Sequence, residues 1–135
     1  MIRKTYGQSE LSVFDEKTAL MYSGDDPQMF ARFGEDYLAQ KEATVKKLTD
    51  AYAAADWKNY TIYAHGLKSS SLSLGGKKLS ETAKAIEQAG KNWNAAQDDD
   101  EKAAAINYIK AHHEDMMRFY DEFSAVLSQK IADRV

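Results

Sequence analysis

Apolar residues recur every three or four positions along most of the chain, the period at which side chains share one face of an α-helix. Boundary signals divide this pattern into five segments. Residues around Phe14 to Tyr22 predict a short first helix, closed by Ser23-Gly24. Asp26-Pro27 then marks a start, because an Asp side chain can take up a free amide and Pro at the first helical position has no amide to leave unpaired. The stripe Phe30, Phe33, Tyr37, Leu38, Val45, Leu48 and Tyr52 predicts one long second helix ending near Ala55. Asp56 caps a third in the same way, with the stripe Tyr60, Tyr63, Leu67 and Leu74 and a stop at Gly75-Gly76. Leu79, Ala83, Ile86, Gly90 and Trp93 mark a fourth. The acidic run Asp98-Asp99-Asp100-Glu101 suits the positive dipole end of a last helix and reads as a solvated cap. That helix carries Ile106, Ile109, His113, Met116, Tyr120, Phe123, Leu127 and Ile131, a seam spaced for packing against neighbouring helices.

Four amphipathic helices joined by short links predict an all-α fold, an antiparallel up-down four-helix bundle with a short extra N-terminal helix over one end. The length of 135 residues fits a single domain, residues 1–135, with no room for a catalytic domain beside a regulatory one. A single Pro and seven Gly leave little material for turns, which agrees with long helices. The formal charge of −3 offers no basic excess for phosphate backbones, so no nucleic acid is expected as a partner. No window approaches the roughly 20 apolar residues of a membrane span. Met1 to Gly7 also lacks the apolar core of a signal peptide, so no membrane association is expected and a cytoplasmic location is. With no cysteine there are no disulfides, thiolate nucleophiles or Cys-based metal sites.

A bundle needs no histidine, and the chain has three. At about 100° per residue, His65 points almost directly away from the Tyr60, Tyr63, Leu67, Leu74 stripe and faces water, with Thr61, Lys68, Ser69 and Leu72 around it. His113 falls within the seam of the last helix and reads as a packed, hydrogen-bonded core residue, with His112 on its flank. Adjacent histidines diverge on a helix and cannot share one metal ion. An exposed histidine is ordinarily a plain surface residue. Here, however, a neutral imidazole is a nucleophile near neutral pH, the Lys68 ammonium is placed to offset the charge of a phosphoryl group, and Thr61 or Ser69 could add hydrogen bonds. Gly75 and Gly76 read equally well as a helix stop or as room for another protein surface.

These residues form a recognisable pattern. Ala64-His65 is followed by Leu67-Lys68, the small run Ser69-Ser70-Ser71, Gly75 ten residues after the histidine, Leu79, and then Ala83-Lys84-Ala85-Ile86-Glu87. The stretch from Asp56 to Leu79 resembles the signature of the histidine-containing phosphotransfer (HPt) domains of bacterial phosphorelays. Upstream, Tyr22 to Phe30 and the helix from Phe33 to Leu48 are also similar to the family, so the resemblance covers a core of about 14–131. The resemblance implies that His65 is the phosphoacceptor through Nε2, Lys68 the cation beside the phosphoryl group, and Gly75 the position that stays small beside the site. Many members have Gly after the lysine; Ser69 stands there in this chain and is read as a variant that adds a hydrogen bond. A polar side chain on the facing helix is matched by Glu87 or Gln88, with the choice open.

The implied function is that of a phosphorelay intermediate, a phosphocarrier rather than an enzyme. It would accept the phosphoryl group from a receiver-domain aspartyl phosphate and pass it to another receiver. Response-regulator receiver domains are the implied partners, a hybrid sensor histidine kinase is a further candidate, and the chain is expected to be a monomer. No cofactor is expected on this chain; the Mg²⁺ would belong to the receiver. There is no Gly-x-x-x-x-Gly-Lys loop and no room for an ATP-binding fold, so no ATP-dependent kinase activity is expected. Two alternatives remain open. One is a noncatalytic bundle that docks to receivers without transferring anything. The other is a metal-binding four-helix bundle, against which stands the lack of any Glu-x-x-His or His-x-x-x-His spacing.

Overall fold

In the computed structural model, residues 12–134 are described. Met1 to Gly7, the stretch that lacks the apolar core of a signal peptide, lies outside the described residues. The helices are α1 (Glu16–Tyr22), α2 (Pro27–Ala39), α3 (Lys41–Ala53), α4 (Trp57–Ser73), α5 (Lys77–Ala95) and α6 (Asp99–Arg134). The architecture is an all-helical up-down bundle. Its four arms are α2 with α3, then α4, α5 and α6, and the short α1 packs against α4 and α2 at one end. Among the described residues no helix is long and apolar enough to cross a membrane.

The boundary signals act as their chemistry requires. Asp26 accepts the amides of Gln28 and Met29 ahead of α2, and Asp56 accepts that of Asn59 ahead of α4. Asp98 takes the Glu101 amide, and the Glu101 carboxylate in turn takes the Gln97 amide, so the acidic run is indeed a cap. The chain leaves α1 through Gly24 and Asp25 and leaves α3 through Ala55, all with positive φ. Left-handed backbone is disfavoured for an L side chain, so Ala55, at φ 54°, carries a local strain that glycine would not.

The expected single helix from Asp26 to Ala55 is corrected to two helices meeting at Gln40. There the backbone takes φ −92° and ψ −3°, and the Gln40 amide reaches both Asp36 O and Tyr37 O in a tightened turn. No Pro or Gly marks the joint, so the apolar period runs through it unbroken in the sequence. Tertiary packing imposes the bend: α2 lies against α6 whereas α3 lies against α4. Gly34 allows the first approach, since a Cβ there would meet Ile131 Cδ1 at 2.5 Å. Lys41 secures the joint to α6 through a 2.6 Å ion pair with Asp121 and sits over the Tyr120 ring.

The core runs the length of the bundle through Phe30, Leu48, Tyr60, Leu67, Ile86, Ile109, Met116, Phe123 and Leu127, all at most 2% exposed. His113 belongs to it, as its place in the α6 seam implies. Its Nδ1 is 2.6 Å from the Tyr60 hydroxyl, and its ring stacks on Tyr52 at 3.9 Å. Burial pushes the His113 pKa down and the nearby Glu114 only partly opposes this, so the neutral ring is the favoured form. His112 is half-buried beside the Tyr108 ring. Phe33, expected inside, is 44% exposed, and Tyr63 is only half-buried.

Candidate functional site

The inward face of α4 is built from Trp57, Tyr60, Ala64, Leu67, Ser71 and Leu74. Ala64 and Ser71 are small and leave no mark in a stripe judged by large apolar residues. Including them together with Trp57, and leaving out half-buried Tyr63, turns the inward direction by about 40° at about 100° per residue. His65 therefore does not point straight out: it stands on the shoulder of α4, leaning toward α5.

Two close approaches fix α4 against α5 on either side of His65. On one side Gly90 meets Thr61 so closely that a Cβ on Gly90 would overlap the Thr61 hydroxyl. Thr61 is thereby packed between helices, with its hydroxyl donated to Trp57 O, and the expected role beside His65 is corrected. On the other side the Ser80 hydroxyl donates to Lys68 O at 2.9 Å. Between these anchors the antiparallel register sets His65 opposite Glu87.

Glu87 is the residue around which the site is organised. Its side chain is 5% exposed, yet it is ionised and fully engaged. Oε2 is 2.7 Å from His65 Nδ1 and 3.4 Å from Lys91 Nζ, and Oε1 is 2.7 Å from Lys68 Nζ. Burial pushes the Glu87 carboxyl up, but the hydrogen bonds and positive charge of Lys68 and His65 outweigh that and hold it below its usual value. A carboxylate can only accept, so the ring proton of a neutral His65 belongs on Nδ1. Nε2, on the far side of the ring, then carries the lone pair, and the side chain is 58% exposed. The arrangement is a ring nitrogen with a free lone pair, held at the surface by a bond made at the ring's other nitrogen.

The other expected site residues fall in different places. Lys68 is 25% exposed beside the ring, on the same carboxylate. Ser69 is exposed one turn from His65, on a shallow cleft of about 380 Å³ shared with Lys68, Leu72, Lys77, Ser80, Glu81 and Lys84, and no hydrogen bond joins it to the ring. Gly75 is not beside the imidazole, which corrects the role expected for it. Ten residues along α4 is about 15 Å, and there Gly75 turns the chain at φ 89°, buried under α1. Its carbonyl accepts the Asp15 amide at 2.7 Å, and a Cβ would meet Asp15 O at 2.5 Å. Its smallness serves the docking of α1. Of the two facing candidates, Gln88 is exposed and bonds Asn92, so the residue opposite His65 is Glu87. Lys91 was not foreseen, although its place one turn beyond Glu87 on α5 is readable from spacing alone.

Among the described residues no group of three or more His, Cys, Asp or Glu is arranged to hold a metal ion. Neither curated proteins nor solved structures include a significant match to the chain. A family model described as Hpt domain does match, over residues 29–126, from the first turn of α2 to near the end of α6. That span takes in His65, Lys68, Glu87 and Lys91. Hpt domains are helical phosphocarrier modules that perform histidine phosphotransfer in phosphorelays and interact with receiver domains, and this chain belongs to that family.

Proposed function

We propose that this chain is a phosphorelay intermediate in which His65 takes a phosphoryl group from the aspartyl phosphate of one receiver domain and gives it to the aspartate of another. The observation that carries this reading is the 2.7 Å contact of His65 Nδ1 with buried Glu87, which leaves Nε2 as the nitrogen in solvent. The Nε2 lone pair attacks phosphorus in line, the N–P bond forms as the aspartyl O–P bond breaks, and the carboxylate leaves on the donor receiver. The ring becomes cationic while the Nδ1 proton stays on the bond to Glu87, so no proton has to depart. The second transfer reverses these steps.

Lys68 acts as a cation beside the phosphoryl oxygens. An ammonium has three donors, so one bond to Glu87 leaves two for a newcomer. Ser69 lines the approach to the ring, and Gly75 acts at a distance by holding α1. The chain needs no cofactor of its own, because in-line transfer calls for positioning and charge neutralisation that the receiver supplies with its own Mg²⁺ and lysine. A monomer in the cytoplasm, shuttling between receivers and a hybrid sensor kinase, fits a site this open.

The test is labelling by a phosphorylated receiver. The expected product is an acid-labile, base-stable phosphate on the wild-type protein and none on His65→Gln. Equal labelling of that variant sinks the assignment, and tight receiver binding with no label on the wild type favours a docking module.

A further inference from the structure

We infer that Lys91 is a second phosphoryl-binding cation, parked on Glu87 while His65 is unmodified and transferred to the phosphoryl oxygens when Nε2 is phosphorylated. This inference rests on His65 being the phosphoacceptor.

Charge is the first argument. Before transfer, Lys68 and Glu87 neutralise one another across a 2.7 Å contact in a poorly solvated position, and the positive charge of Lys91 is left over. A phosphoryl group brings about −1.5 to −2 at neutral pH. The cationic ring offsets part of it and lies against Glu87. Lys68 can donate to both anions but carries one positive charge, so alone it leaves the phosphoryl group and Glu87 as neighbouring, under-compensated anions. A second cation is the group that restores the balance.

Geometry is the second argument. Because α4 and α5 are antiparallel, residues beyond Glu87 on α5 lie level with residues preceding His65 on α4, as the contact of Gly90 with Thr61 shows. Lys91, next to Gly90, therefore stands on the Thr61 side of the imidazole and Lys68 on the opposite side. The two lysines thus reach the Glu87 carboxylate from backbone positions on opposite sides of His65, Lys68 at Oε1 and Lys91 at Oε2. Their hold on Glu87 is unequal: Lys68 is 25% exposed at 2.7 Å, whereas Lys91 is 60% exposed at 3.4 Å. An exposed, long i,i+4 pair contributes little and is readily given up, and the flexible stem lets the ammonium move without disturbing the helix. Both Lys91 and His65 Nδ1 share Oε2, so a cationic phosphorylated ring draws more heavily on that oxygen and weakens the claim of Lys91 to it.

The experiment uses the whole 135-residue chain and phosphoramidate as donor, which removes any dependence on a partner. Lys91→Ala, Lys91→Arg and Lys110→Ala are compared with wild type. Lys110 serves as a control because it is exposed on α6, away from the cleft that holds Ser69 and with no ion pair to Glu87. The expected result is that Lys91→Ala slows labelling of His65 about tenfold, with Lys91→Arg restoring most of the rate, the range in which a single charge-assisted contact acts. In ³¹P NMR titrations, loss of a cation that favours the dianion moves the second ionisation of the phosphohistidine upward by about 0.5 pH unit. A purely structural lysine would not move that midpoint. Labelling of Lys91→Ala within twofold of wild type, with an unmoved ³¹P midpoint, overturns the role of Lys91. So does an equal loss in Lys110→Ala, which would show a diffuse charge effect. A wild-type chain that takes no label at His65 overturns the phosphoacceptor reading itself, a result distinct from the other two.

Discussion

Replacing Glu87 tests the claim that a buried carboxylate decides which nitrogen of His65 is the nucleophile. The bond to Nδ1 is 2.7 Å long and made to a charged acceptor. Such bonds contribute about 1.5–3 kcal/mol when shielded from water. The imidazole side chain is 58% exposed, so water competes for Nδ1 and a discounted figure of about 1 kcal/mol is appropriate. At room temperature that is about a fivefold bias toward the Nδ1–H form. In Glu87→Ala the bias vanishes, the fraction of rings with a free Nε2 lone pair falls by up to that factor, and labelling by phosphoramidate slows at least as much. Glu87→Gln keeps the volume and an amide oxygen that can accept from Nδ1, so it should fall between the two and also show that the fold tolerates loss of the charge. The readout is a long-range ¹H–¹⁵N correlation spectrum of the histidine rings at pH 8.5, where an ordinary imidazole is neutral. Wild-type His65 should show a protonated Nδ1 and a bare Nε2, and Glu87→Ala a mixture. A wild-type ring carrying its proton on Nε2 would refute the reasoning, as would an alanine variant with unchanged nitrogen shifts and an unchanged labelling rate.

Three further outcomes follow from the rest of the bundle. Ala55→Gly should stabilise the protein by about 0.5–1 kcal/mol in urea, because glycine takes φ 54° without the clash an alanine Cβ suffers; a loss of stability would show that this turn is unstrained. Gly90→Ala should cost about 1–3 kcal/mol despite the better helix propensity of alanine, since its Cβ meets Thr61, and Thr61→Ala should recover part of the loss. An unchanged melting temperature in Gly90→Ala would mean that α4 and α5 are not held at that distance. His113 binds its proton less readily folded than unfolded, so stability is flat well above 6.5 and falls as pH drops through 6.5 toward the lower folded value, with a slope of at most about 1.4 kcal/mol per pH unit. His113→Gln should remove that component of the slope, and urea melts of both proteins between pH 5 and 8 compare them directly.

The fold was legible because its signals are local. Asp26-Pro27, Asp56 and the Asp98 to Glu101 run each cap the helix that follows through amides within a few residues, and such geometry is written in consecutive positions. The bend at Gln40 was not legible, because its cause lies in α6 and α4, which turn the two halves of one apolar stripe toward different neighbours. The site divides along the same line. His65 and Lys68 share a helix face and a motif, so their closeness, seen at Glu87, was readable from spacing. Gly75 shares the motif but not the place: its position in the pattern reflects the turn under α1, about 15 Å from the imidazole.

Glu87 lies between these cases, and its signal is one of contradiction rather than pattern. It sits directly after core residue Ile86 and between Ala83 and Gly90, four positions from one and three from the other, on a helix side where a lone carboxylate is costly. A charged residue at such a position implies a cation on whichever helix faces it. An antiparallel α4 could offer only a few cationic or protonatable groups at the matching height, and His65 and Lys68 are two of them. What the sequence lacked was the height itself, since α4 could slide by a turn against α5 without altering either stripe. Gly90 against Thr61 and Ser80 against the Lys68 carbonyl remove that freedom. The register of two helices, set by one glycine and one serine, is thus what brings an exposed histidine against the buried carboxylate that orients its ring.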